Sequence, residues 1–124
     1  MVILETRKRG KIQNISREVA MWEEIVRSFS DNPREVQSQP ITKRDAVWFS
    51  VYVEDKKLFV DRAKVHKPSS NLSQRRSLSA EADKCNIMYD LYCRRKNGAS
   101  VSAEATATTV NQIYWYGIFA AMGY

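Results

Sequence analysis

Ala46-Val47-Trp48-Phe49-Ser50-Val51-Tyr52-Val53-Glu54, then Asp55-Lys56-Lys57, then Leu58-Phe59-Val60-Asp61-Arg62-Ala63-Lys64-Val65-His66, is the stretch that decides the fold. In its first run Val47, Phe49, Val51 and Val53 fall on one side, and Trp48, Ser50 and Tyr52 fall on the other. A period of two in β-branched and aromatic residues is the pattern of a half-buried strand. The polar turn Glu54-Asp55-Lys56-Lys57 reverses the chain, and residues 58–66 read as the return strand of an antiparallel hairpin, although the turn carries no Asn-Gly or Asp-Gly pair. On that strand Leu58, Val60, Arg62, Lys64 and His66 share a side that changes from apolar to basic. The strand is therefore expected to leave the core as it becomes cationic.

Upstream, Ile15, Val19, Trp22, Ile25, Val26 and Phe29 recur at spacings of three and four, the stripe of an amphipathic helix. Asn14 or Ser16 would cap it and Asp31-Asn32-Pro33 would stop it. Residues 33–43 read as a connecting loop, and residues 2–13 as a basic hairpin or arm turning at Arg7-Lys8-Arg9-Gly10-Lys11.

Downstream, Ser79 reads as the N-cap of a helix with Glu81 and Asp83 in its first turn, Arg94-Arg95-Lys96 in its last, and Gly98 beyond. Cys85, Met88, Leu91 and Tyr92 would be its inner face. From Ser100 to Val110 the pattern fits strand or helix, and the many alanines favour helix, with a break near Thr109. The expected fold is α+β in a single domain over 1–124: an amphipathic helix, an antiparallel β-hairpin or small sheet, and two C-terminal helices.

The 20 Lys and Arg against 14 Asp and Glu leave a net charge of +6, and the placement is uneven. Between Lys56 and Lys96 the basic surplus is seven, whereas from Asn97 to Tyr124 the only charge is Glu104. Such a basic domain is a candidate to meet nucleic acid. Cys85 and Cys93 lie about 12 Å apart along one helix, too far to bridge, and two Cys with one His cannot complete a structural zinc site. Reduced thiols, no signal peptide and no membrane-length apolar run point to a cytoplasmic protein. With four glycines and no Gly-rich phosphate loop, no cofactor or metal is expected.

From Arg62 to Arg76 the chain holds Arg62, Lys64, His66, Lys67, Arg75 and Arg76 with no acid. These cations, with the Ser69, Ser70, Asn71 and Ser73 side chains as hydrogen-bonding groups, are expected to contact a phosphate backbone. Arg7, Lys8, Arg9 and Lys11 would add an arm. The expectation is a non-catalytic nucleic-acid-binding protein, for DNA or RNA. One alternative is a metal-dependent nuclease, because Asp45 and Glu54-Asp55-Lys56 imitate an acid…acid-x-lysine pattern. Another is a module that binds an acidic protein partner. A helix-turn-helix over 82–120 is weighed and disfavoured, since its reading helix, 112–119, holds no Arg or Lys. The uncharged, aromatic tail suggests a homodimer centred on Tyr114, Trp115, Ile118 and Phe119.

Overall fold

The computed structural model describes residues 21–41, 45–69 and 72–124. Residues 21–31 are helical and belong to α1, whose last turn closes with the Asn32 N–H on the Ser28 carbonyl at 2.9 Å before Pro33. Four strands follow: β1 (Arg34–Gln37), β2 (Trp48–Glu54), β3 (Lys57–Arg62) and β4 (Arg76–Ser77). They form an antiparallel meander in the order β1-β2-β3-β4. A 3-10 turn (Ser79–Lys84) leads into α2 (Cys85–Lys96), and α3 (Ser102–Thr108) and α4 (Gln112–Ala121) complete the fold. The α+β expectation holds.

The hairpin pairs Glu54 with Lys57, so Asp55 and Lys56 alone make the turn, at φ 51° and 65°. Two left-handed residues match the twist of the strands they join, which is why this two-residue turn works without glycine. The pairing puts Phe49, Val51, Leu58 and Val60 on the inner face, all fully buried, with Val36 of β1 beside them. Ile25 and Phe29 of α1, Met88 and Leu91 of α2, and Trp115, Ile118 and Phe119 of α4 join this face in one apolar cluster.

α4 can lie close to the sheet because Gly117 has no side chain. A Cβ there would sit 2.7 Å from the Phe49 ring and 3.0 Å from the Gln37 carbonyl oxygen. Tyr114 meets Phe49 edge-on at 5.1 Å between centroids.

The tail breaks where expected. Thr109, at φ −159° and ψ 154°, is extended and divides it into α3 and α4, giving three helices after the sheet instead of two. Three local expectations change. Residues 33–43, read as a connecting loop, contain β1, which pairs with β2. β3 ends at Arg62, so Lys64 and His66 belong to a loop and not to a strand. Ser79 does not cap a helix; its hydroxyl accepts the Leu58 N–H at 2.8 Å and fastens the 3-10 turn to β3. Among the described residues no helix is long and apolar enough to cross a membrane.

Candidate nucleic-acid interface

The strand ends early because a carboxylate from β1 captures the loop beyond it. Glu35 stands opposite Ser50 on the outer face of the sheet. Its Oε2 accepts the backbone N–H groups of Lys64 and Val65, each at 2.8 Å. Its Oε1 accepts the His66 N–H at 2.9 Å and lies 2.8 Å from His66 Nδ1. Three successive amides converging on one anion make the kind of backbone concavity that elsewhere holds phosphate; here a side chain of the same protein fills it.

Burial of the Glu35 carboxylate works to raise its pKa, but the amides of Val65, His66 and Lys64 and the His66 ring outweigh it, and the pKa falls to about 2. The His66 ring in turn stacks on Trp48 at 3.9 Å between centroids and 17° between planes. The Lys67 carbonyl accepts the Trp48 N–H at 2.8 Å, and Pro68 bridges to the same residue.

This loop is thus pinned at four consecutive residues while its side chains stay in solvent. Arg62, Lys64, His66 and Lys67 are all exposed. Lys67 meets Asp45 only at 3.8 Å, with both side chains largely in water, a geometry that contributes little.

Arg75 and Arg76 do not join this set. Arg75 lies 4.0 Å over the Phe59 ring, donates to Glu54 at 2.9 Å and reaches the Tyr52 hydroxyl at 3.4 Å. The Tyr52 and Glu54 bonds hold its guanidinium pKa above the ordinary value. Arg76, paired opposite Val60, donates to Asn111 Oδ1 at 2.9 Å and sits 5.6 Å from the Tyr114 ring centre. Both arginines are therefore engaged by the protein's own residues, with Arg75 still exposed and Arg76 half-buried. Ser69 is half-buried and Ser73 exposed, whereas Ser70, Asn71 and the basic arm Arg7, Lys8, Arg9 and Lys11 fall outside the described residues.

The remaining candidate residues lie elsewhere in the fold. Asp45 precedes β2 and Glu54 ends it, so the two carboxylates stand at opposite ends of a seven-residue strand and do not converge. Glu54 is moreover occupied by Arg75. α4 packs in the apolar cluster, which removes it as a helix that could enter a DNA groove. The same burial takes Tyr114, Trp115, Ile118 and Phe119 out of reach of a second copy, at 4%, 0%, 0% and 0% exposure.

A second carboxylate hub was not foreseen. Glu81 accepts the Thr109 hydroxyl at 2.6 and 2.8 Å, Asn111 Nδ2 at 2.9 Å and Trp115 Nε1 at 3.1 Å. Burial pushes its pKa up, yet these donors win and hold it below the usual range. Neither carboxylate has a local sequence signal, because each partner set lies about thirty residues away.

No protein-family model, curated protein or solved structure matches the chain.

Proposed function

We propose that this protein binds nucleic acid without catalysis, through the phosphate backbone, at the 62–67 loop and the adjoining outer face of the sheet. The observation that carries the reading is the Glu35 anchor: it immobilises the amides of Lys64, Val65 and His66 and leaves the flanking cations in solvent. A fixed loop loses little further freedom on binding, so its charges act at a smaller entropic cost than those of a mobile tail. Arg62, Lys64 and Lys67 supply the fixed charges. The Trp48–His66 stack beside them, with the His66 side chain 47% exposed, offers a ring surface for an unpaired base. Single-stranded nucleic acid therefore suits this face better than a duplex.

The homodimer expected from the tail has lost its four anchors to the protomer's own core, and the proposal is made for a single copy. Fluorescence anisotropy with labelled single-stranded and duplex oligonucleotides, at two salt concentrations, tests it. Three neutralised phosphates should give a log–log salt slope of about −2 on a single strand. Absence of binding at micromolar protein and low salt would sink the reading, and binding unchanged in Lys64→Gln/Lys67→Gln would move it to another surface.

A further inference from the structure

The outer face of the sheet carries one arrangement twice. At one end the Trp48 ring is covered by the His66 imidazole, 3.9 Å away between centroids and 17° from parallel, and Glu35 holds that imidazole at Nδ1. At the other end the Phe59 ring is covered by the Arg75 guanidinium, whose central carbon lies 4.0 Å from the ring centre, and Glu54 holds that guanidinium at 2.9 Å. In each case a ring of the sheet supports a flat polar group from beyond β3, and a carboxylate fixes its edge.

Both flat groups keep a plane in water. The His66 side chain is 47% exposed and the Arg75 side chain 43%, although each has one plane on a ring and one edge on a carboxylate. Tyr52, the register partner of Phe59, stacks beside it at 5.8 Å and broadens the second platform.

Trp48 and Tyr52 are four residues apart on β2, about 13 Å at the ordinary strand rise of about 3.3 Å. Consecutive bases of a duplex strand stand only about 3.4 Å apart, so two stacked neighbours cannot lie on both platforms. Between the platforms the face presents Ser50 and, opposite it on β3, Asp61, whose carboxylate repels phosphate. Cations lie at the two ends instead. Arg62, Lys64 and Lys67 flank His66, and exposed Lys57 stands two positions before Phe59 on the same side of β3. Bases therefore have a place over the sheet, and phosphates a place at its ends.

We infer that this face binds two non-adjacent bases of one single strand, the first stacked on His66 over Trp48 and the second on Arg75 over Phe59. At least one nucleotide spans Ser50 and Asp61 between them. The inference rests on the nucleic-acid reading above and adds to it a second platform and a spacing. Arg75, although paired with Glu54, still offers a guanidinium plane, and such planes stack on bases without reading their sequence.

Single-stranded oligonucleotides of constant length, abasic except for two adenines, test it by fluorescence anisotropy, because the phosphate count stays fixed while the base spacing varies. A pair separated by one or by two abasic units, whichever spans the face, should bind about tenfold more tightly than an adjacent pair or a single adenine. Arg75→Lys keeps the charge and removes the plane. It should bring the separated pair down to the affinity of a single adenine, and leave the single-adenine affinity and the salt slope as they were. Equal affinity for adjacent and separated pairs would overturn the inference. So would an Arg75→Lys protein that keeps the spacing preference or loses the single-adenine strand equally. If Lys64→Gln/Lys67→Gln still weakens all the strands, the nucleic-acid reading survives such a result. If no strand binds at micromolar protein and low salt, that reading falls and takes this inference with it.

Discussion

The Glu35 carboxylate and the His66 imidazole, thirty-one positions apart in the chain, meet at 2.8 Å on the outer face of the sheet. The same carboxylate takes the His66 amide and the two before it. One β1 side chain thereby decides where β3 stops and how the cations after it are displayed.

Replacing Glu35 with Gln leaves one acceptor oxygen where two served, and puts an amide donor against N–H groups. Hydrogen exchange at the Lys64, Val65 and His66 amides should accelerate by about tenfold or more, with the core amides unaffected. The pH dependence has a definite sign. A carboxyl whose pKa falls from 4.5 to about 2 on folding stabilises the loop fully above 4.5, and that contribution fades as pH drops toward 2. Amide protection at residues 64–66 that persisted at the acid end of this window would show that something else holds the loop.

Lys64→Gln/Lys67→Gln should flatten the salt slope of nucleic-acid binding by about 1 to 2 and leave the melting temperature in place. Arg75→Ala and Arg76→Ala should behave in the opposite way. They remove packing on Phe59 and Tyr114 and the bonds to Glu54 and Asn111, so melting should fall by a few degrees while the salt slope stays unchanged. Thermal melts and salt titrations on both pairs separate the two groups of cations.

Gly117→Ala should destabilise the fold by about 1–3 kcal/mol, because the added methyl meets the Phe49 ring at 2.7 Å and backbone at 3.0 Å. Phe49→Leu placed in the Gly117→Ala background should cost less than it does alone, since the shorter side chain makes room. Denaturant unfolding of the four proteins measures that coupling, and strict additivity would show that α4 and β2 are not held at this distance by the pair.

Glu81→Gln should cost about 1–3 kcal/mol, with its partial exposure favouring the lower end. The substituted amide would face the Thr109 hydroxyl, Asn111 Nδ2 and Trp115 Nε1, which are all donors. Because its pKa is lowered on folding, the Glu81 contribution is present above the ordinary carboxylate pKa of 4.5 and lost as pH falls below it. Tryptophan fluorescence during unfolding follows it, given that Trp115 is one of the three partners.

The hairpin was readable from alternation alone, since Phe49, Val51, Leu58 and Val60 are the buried set in both the pattern and the fold. The break near Thr109 was expected from the sequence too, and α3 ends there. Lys64 and His66 continued the period of β3 and were misplaced, because periodicity records side-chain type and not a competing acceptor two strands away. Arg75 and Arg76 lacked acidic neighbours in sequence, yet found Glu54 and Asn111 in space. For α4, an apolar circumference announces burial but does not name what covers it. Gly117, the residue that lets the helix settle on its own sheet, reads in sequence only as a small side chain.

Every ladder of the sheet joins strands that are neighbours in the chain, and the central one closes over a two-residue turn. Local pairings of this kind need little chain entropy to be lost before contacts form, and topologies rich in them fold fast. The meander can therefore assemble while residues 85–121 are still seeking their places, and the Glu35-bound loop can form with it. Docking of α4 against Phe49 becomes the late, cooperative event. Substitutions on the inner side of that helix should speed unfolding far more than they slow folding.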